Sequence, residues 1–372
     1  MNGHKIRLSK SSIGEEEKSA VLRVLEKEYL GMGEEVQRFE EEIRTFLKSD
    51  KEVVCVNTGT SALHLALCAL DIGPGDEVLV PSITYVASFQ AISACGATPV
   101  AVDVTEDTLF IDMEDAQKRL SPKTKAIMPV HYASNARDMD KVYAFARKYG
   151  LRVIEDAAQA FGCKRNGKAV GTEGDVICFS FDGIKNITSG EGGAVLSSDP
   201  EVVQRVQDGR LLGVEKDTQK RFAAERSWEF EVRRQGYRYH MSNIMAAIGR
   251  EQLKKIDNFA QKRRRIVARY MEMLQDIRQI TFLDFDYHEI IPHIFVIKAK
   301  QRDALRAYLL AHHIECGIHY KPNHLLEKYR TTYRLPVSEM LYETILTLPC
   351  HTDLTESDQK RVIDTIREFY NG

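Results

Sequence analysis

No stretch of this chain is apolar for long enough to span a bilayer, and its first residues, Met-Asn-Gly-His-Lys-Ile-Arg, lack the apolar centre of a secretory leader. There is no Cys-x-x-Cys pair. The seven cysteines are odd in number and scattered, and Cys55 and Cys178 lie inside strand-like apolar runs. That usage argues against a disulfide frame or a zinc site and for buried thiols in a reducing cytoplasm. His293, His312 and His313 lack metal-ligand spacing, so no metal is expected. A Gly-Lys-Ser/Thr phosphate loop is missing, and so is a Gly-x-Gly-x-x-Gly turn after the first strand-like run. P-loop and nicotinamide dinucleotide chemistry are therefore disfavoured. An excess of one charge is missing too. The 52 Lys and Arg against 54 Asp and Glu leave a net −2, which argues against nucleic acid or an anionic membrane as a main partner.

What is present is an ordinary soluble balance, 43% apolar and 28% charged over 372 residues, enough chain for two domains. Ser12-Ile-Gly-Glu-Glu-Glu opens a helix running to about Glu28, with carboxylates in its first turn. Tyr29-Leu-Gly-Met-Gly33 breaks it. A second amphipathic helix carries Val36, Phe39, Ile43 and Phe46 or Leu47 on one face. From Val53 to Ser198, β-branched runs alternate with helical stretches. The runs are Val53–Val56, Glu77–Val80, Pro99–Val104, Ala126–Val130, Arg152–Ile154, Val176–Phe181 and Ala194–Leu196. That alternation predicts an α/β domain with a mostly parallel seven-stranded sheet, which binds ligands at the carboxyl ends of its strands. Residues 200–260 read as helical and charged. Lys262-Arg-Arg-Arg265 reads as a solvated helix face, with contact to a substrate diphosphate the lesser option. From about residue 270, Ile294–Ile297, Arg302–His312, Ile314–Tyr320 and a last helix Glu356–Tyr370 suggest a smaller α+β domain. The expected division is 1–255 for the large domain and 256–372 for the small one.

Four stretches carry chemistry. Val176–Phe181 leads to Lys185, held among apolar and small residues and followed by Gly190, Gly192 and Gly193. A lysine so placed loses ammonium solvation and becomes a nucleophile fit for a Schiff base; the plain alternative is a surface lysine on a loop. Asn57-Thr-Gly-Thr-Ser-Ala-Leu63 opens a helix, where backbone N–H groups with the Thr60 and Ser61 hydroxyls make a phosphate cup, or simply an N-cap. Glu155-Asp-Ala-Ala-Gln159 puts Asp156 at a strand's carboxyl end, able to pair with a protonated ring nitrogen or to cap the next segment. Tyr85, in Pro81-Ser-Ile-Thr-Tyr-Val-Ala87, can stack on a flat ring or fill a core. Together they ask for a phosphate, a ring face, a ring nitrogen and an aldehyde carbon, which pyridoxal 5′-phosphate presents.

At these residues the chain resembles the DegT/DnrJ/EryC1/StrS group of sugar-nucleotide aminotransferases, pyridoxal-phosphate enzymes of fold type I, the aspartate aminotransferase-like fold. The matching stretches include Gly59–Leu67, Gly73–Ser82, Gly96–Val100, Pro129–His131, Ile154–Gln159, Phe179–Phe181 with Lys185-Asn186, Gly190–Gly193, Met241-Ser242 with Ala246–Ile248, and Gly317–Tyr320 with His324. The resemblance runs from about residue 7 to the end. It implies that Lys185 is the Schiff-base lysine and shuttles the proton, that Asp156 pairs with the ring nitrogen, and that Gln159 meets the ring hydroxyl. Tyr85 would stack on the ring, and Thr60, Ser61 and Ser180 would hold the phosphate. It implies a homodimer with shared sites, in which the stretch around His240 reaches the partner's cofactor. Asn186, His319, Tyr320 and His324 would lie near the sugar nucleotide. L-Glutamate would be the amino donor.

Two positions depart from the group's pattern. Asp182 stands where many members have His and cannot donate a hydrogen bond when ionised. His240 stands where relatives often carry Asn or Arg, which changes the cross-subunit phosphate contact. Gly183-Ile-Lys-Asn-Ile-Thr and Val130-His-Tyr132 look most like members that aminate C4 of a 4-keto-6-deoxyhexose, dTDP-linked, for a surface polysaccharide or O-antigen. The rivals are a C3-aminating relative, a C3 dehydratase (disfavoured because those relatives lack the lysine), and a regulatory protein that binds the cofactor without turnover.

Overall fold

The computed structural model describes residues 4–226 and 228–371; the first three residues of the start read above lie outside it. The large sheet is built from β1 (Glu52–Val56), β2 (Glu77–Pro81), β3 (Thr98–Val102), β4 (Thr124–Ile127), β5 (Arg152–Asp156), β8 (Val176–Ser180) and β9 (Gly193–Ser197). A small hairpin, β6 (Lys164–Arg165) and β7 (Lys168–Ala169), intervenes. The order across the sheet is β1-β9-β8-β5-β4-β2-β3. Only β9 runs against its neighbours. All seven strands fall on the runs read from the sequence.

The helices of this part are α1 (Glu15–Glu26), α2 (Glu34–Leu47), α3 (Gly59–Ala69), α4 (Ala87–Ala94), α5 (Met113–Lys118), α6 (Met139–Tyr149), α7 (Pro200–Gly209), α8 (Asp217–Phe222) and α9 (Asn243–Lys254). They cover both faces of the sheet, which is why its strands are apolar throughout instead of alternating with polar residues. The period of two sorts side chains cleanly. Cys55, Ile177, Phe179 and Leu196 join Val36, Phe39, Ile43 and Leu47 of α2 in one core. Val54, Val56, Val176, Cys178 and Val195 face the other way, onto Ala62, Leu63 and Ala66 of α3 and Val202 and Val206 of α7. Full burial of each large aliphatic chain stabilises by roughly 1.5–3 kcal/mol. A charged pair is embedded in the first layer. Arg210, fully buried, donates to Glu40 Oε1 at 2.5 Å and to the Cys55 carbonyl at 2.6 Å, tying α2 to β1.

The remainder holds α10 (Ile256–Leu274), β10 (Ile280–Phe282), β11 (Phe295–Ala299), α11 (Arg302–Ala311), α12 (Pro336–Thr344), β12 (Ile345–Leu348) and α13 (Glu356–Asn371) around a sheet of order β10-β11-β12. Helix α10 straddles two cores: Ile256, Phe259 and Ala260 pack into the large one, and Ile266, Val267 and Tyr270 into the small one.

Three sequence readings are corrected. Residues 223–226 and 228–242 are irregular instead of helical. Ile314–Tyr320 forms no continuous strand, only single bridges from Ile314 to Ile6 and from Gly317 to Thr347. Lys262–Arg265 is not a wholly solvated face, because Arg263 is buried and donates to the carbonyls of Pro292, His293 and Cys350 at 2.8–3.0 Å. No helix among the described residues is long and apolar enough to cross a membrane.

Candidate active site

The carboxyl ends of the parallel strands open into a cavity of about 270 Å³, lined by Thr60, Tyr85, Asp156, Gln159, Ser180 and Lys185 among others. Residues scattered over 126 positions of sequence meet there because each strand is followed at once by the residue it delivers. Lys185 sits on the loop between β8 and β9. Phe181 N–H donates to the Gly192 carbonyl at 2.8 Å and Ser189 N–H to the Phe181 carbonyl at 2.9 Å, so the loop is pinned at its neck. Burial holds the Lys185 ammonium below the usual lysine range, against the opposing pull of Asp156, Asp182 and Glu191. Its amine has no hydrogen bond or ion pair among the described residues.

The phosphate cup is a close approach of three segments. A Cβ on Gly193 would lie 2.4 Å from the Thr58 carbonyl oxygen, and one on Gly59 would lie 2.7 Å from Ser180 Cβ. Glycine alone lets the start of α3 sit against β8 and β9, with the first helical N–H groups turned to the cavity. Thr58 caps the helix through Ser61 N–H at 3.0 Å. The Ser61 hydroxyl donates to Asn57 Oδ1 at 2.7 Å and so braces the turn. Thr60 and Ser180 do line the cavity.

Asp156 is 5% exposed, accepts from Ser88 Oγ at 2.7 Å and from Ala158 N–H at 3.2 Å, and has no ion-pair partner among the described residues. A buried carboxylate so placed calls for a cation. Ser88 is itself 3.0 Å from the Thr84 hydroxyl. Gln159 is oriented by Ala133 N–H, which donates to its Oε1 at 2.8 Å, and its amide donates to the Tyr320 hydroxyl at 3.1 Å. Tyr85 is 60% exposed, unusual for a tyrosine in a cleft, with its ring centroid 5.7 Å from that of Tyr320. An amine, an aromatic face, an uncompensated carboxylate and a backbone cup thus fit pyridoxal phosphate.

The small-domain residues divide. Tyr320 and His319 lie at the site. The His319 carbonyl accepts from the Tyr132 hydroxyl, and its ring is 2.8 Å from Thr347 Oγ1. Burial, helped by Lys185, pushes His319 down to about 4, so it is a neutral imidazole. His324 does not line the Lys185 cavity: it is 2% exposed, with Nδ1 2.7 Å from Ser82 Oγ and Nε2 3.4 Å from Glu339, linking the end of β2 to α12. Asn186 likewise stands outside that lining, and its amide donates to the buried carbonyls of Phe161 and Ile291 at 3.0 and 3.3 Å. His240 lies outside the Lys185 cavity, in a second one of about 150 Å³ with Arg221, Arg238 and Phe230. Sequence reasoning missed Ser88 and Glu191. Ser88 meets Asp156 across 68 positions, a pairing that leaves no local pattern. Glu191, between glycines, was legible as a carboxylate near Lys185; burial and Asp182 raise its pKa.

Solved structures share this fold over nearly their whole length. DesV of S. venezuelae is 34% identical with a TM-score of 0.88, covering 96% of this chain and 95% of that one. TlmJ, an aminotransferase from Streptoalloteichus hindustanus, is 32% identical with a TM-score of 0.91 and 98% of each chain covered. A sugar aminotransferase from Streptococcus pneumoniae, solved in PLP and PMP forms, is 28% identical with a TM-score of 0.91, covering 99% of this chain. The DegT/DnrJ/EryC1/StrS aminotransferase family model matches residues 11–367, and the chain belongs to this family of pyridoxal-phosphate-dependent sugar aminotransferases.

Proposed function

We propose that this aminotransferase moves the amino group of L-glutamate to C4 of a nucleotide-linked 4-keto-6-deoxyhexose, dTDP-linked, giving a 4-amino-4,6-dideoxy sugar for a surface polysaccharide. The observation that carries the reading is the partnerless, desolvated Lys185 beside the uncompensated Asp156. When bound, the cofactor supplies an electron sink that makes the C–H beside the donor's nitrogen acidic. Asp156 keeps the ring nitrogen charged, and Ser88 holds that carboxylate in place. Burial lowers the Lys185 pKa and so favours its free amine, which would take the proton from the carbon beside the donor's nitrogen and return it to the other carbon. With the cofactor bound, Tyr85 would cover a ring face and exclude water, Gln159 would meet the ring hydroxyl, and Thr60, Ser180 and the start of α3 would hold the phosphate. His319 and Tyr320 offer a neutral imidazole and a phenol to sugar hydroxyls.

A homodimer is part of the proposal. The residues lining the cavity include three carboxylates, Asp156, Asp182 and Glu191, and only Lys185 as a cation. The phosphate and the donor's carboxylates need positive charge from elsewhere. Arg221, held by Asp217, and Arg238 line the second cavity with Leu212 and Phe230, whose side chains are left 49% and 55% exposed. A second copy covering that strip would bring the Arg238 guanidinium to a neighbouring site. The test is product mass spectrometry with holoenzyme, glutamate and dTDP-, UDP- or GDP-linked 4-keto-6-deoxy sugars. One strong amino-sugar product with the dTDP substrate is expected. Glutamate-driven bleaching of the cofactor with no product from any of them would overturn the acceptor and point to 3-keto sugars.

A further inference from the structure

We propose that His64, Cys68 and Cys95 form a binding site for a thiophilic divalent cation of the zinc type, remote from the lysine. His64 and Cys68 stand four residues apart on α3, so they share one helix face. Cys95 is the C-cap of α4, the helix packed against that face. The two sulfurs are 3.5 Å apart, and a ring nitrogen of His64 completes a group whose ligand atoms all lie within 4.8 Å of one another. Edges of that length suit a tetrahedral ion with Zn–S near 2.3 Å and Zn–N near 2.0–2.1 Å after small side-chain rotations.

Two further observations point to a ligand. His64 is 5% exposed, yet its Nε2 has no hydrogen-bond partner. Its Nδ1 lies 3.4 Å from the Tyr239 hydroxyl, the outer contact that orients a ligating imidazole. The sulfurs are not sealed in: Cys68 and Cys95 line a cavity of about 660 Å³ together with Leu65, Pro74 and Tyr237, which gives an entry path and room for water as a fourth ligand. The cavity's three arginines are matched by three carboxylates, Arg205 pairing with Asp71 and Glu201, Arg234 with Asp71 and Arg233 with Glu215, so they do not repel a cation outright. Binding would release one proton from each thiol, and two thiolates with a dication make a neutral unit that a half-buried site tolerates. The ligands went unread in the sequence because Cys68 and Cys95 lie 27 residues apart and on different helices.

The experiment uses reduced holoenzyme, kept in a phosphine reductant and dialysed with cobalt(II) or zinc(II) against a weak chelator. One metal per chain is expected, with cobalt giving the visible ligand-field bands of a tetrahedral thiolate site. Cys95→Ser, a mild change at a helix end, should lower affinity by more than about 100-fold, beyond the 10–100-fold typical of outer-shell losses. His64→Gln should do the same while the protein still carries its cofactor. No metal retained by the reduced wild type, a disulfide between Cys68 and Cys95 as the sole product of exposure, or equal binding in both variants would overturn the site.

Discussion

Two lysines sit at opposite ends of the same sheet and have opposite fates. Lys51, just before β1, is 5% exposed, and its ammonium donates to the Gly174 carbonyl at 2.8 Å and to Ser198 Oγ at 3.2 Å. Lys185, past the carboxyl end of β8, has no such partner. The amino end of a parallel sheet presents loops that can be sewn shut; the carboxyl end presents N–H groups and fresh side chains to a ligand. Burial with partners makes a brace, whereas burial without them makes a nucleophile.

The comparison can be broken most sharply at Lys185. Lys185→Ala should lower turnover by on the order of 10⁴-fold, while the purified variant still carries cofactor, read as phosphate and pyridoxal content. Ordinary turnover in that variant would dissolve the distinction. Next in size, Ser88→Ala removes one of two donors to Asp156 and should reduce kcat by about 10-fold, of the order expected for one lost hydrogen bond to a charged group; an unchanged kcat would mean that Asp156 needs no orienting donor. Lys51→Ala should leave kcat within about twofold and cost about 1–3 kcal/mol in urea unfolding, since the Gly174 carbonyl loses its donor. A large loss of kcat there would place a functional role at the wrong end of the sheet.

The smallest effect is a slope. His319 is held at about 4, below its ordinary value of 6.5, chiefly by burial. Between those pH values the unfolded chain takes up a proton that the folded one does not, so stability falls as pH falls through that window. His319→Gln should flatten that part of the stability–pH curve, measured by urea midpoints at pH 4.5 and 7. An identical slope in the variant would mean that the ring is charged in the fold.

Much of the large domain was legible because its seven strands are β-branched runs punctuated by helices, a pattern of two periods that survives without tertiary information. Of the small sheet only β11 was, through the run Ile294–Ile297. β10 is only Ile280–Phe282, and β12, Ile345–Leu348, follows α12 without a break, so its apolar run reads as more helix. In the site, Lys185, Asp156 and Tyr85 were readable because each lies at, or a few residues past, the carboxyl end of a strand. Asn186 sits beside the lysine in sequence, yet its side chain turns to the carbonyls of Phe161 and Ile291; adjacency along a loop does not fix direction. His324 shows the same lesson, taken up by Ser82 at the end of β2.

The neck of the lysine loop has a consequence in time. Ser180 and Gly193 face each other on one rung, whereas Val56 reaches the same Gly193 from far back in the chain. Closing a loop of about a dozen residues costs roughly 2 kcal/mol less in chain entropy than closing one more than ten times longer. The hairpin that presents the amine should therefore be an early folding event, and the β1 edge a late one. Pulse-labelled hydrogen exchange during refolding should protect the Phe179 and Phe181 amides ahead of those of Val54 and Val56; the reverse order would show that the reactive loop is shaped only once the whole sheet has assembled.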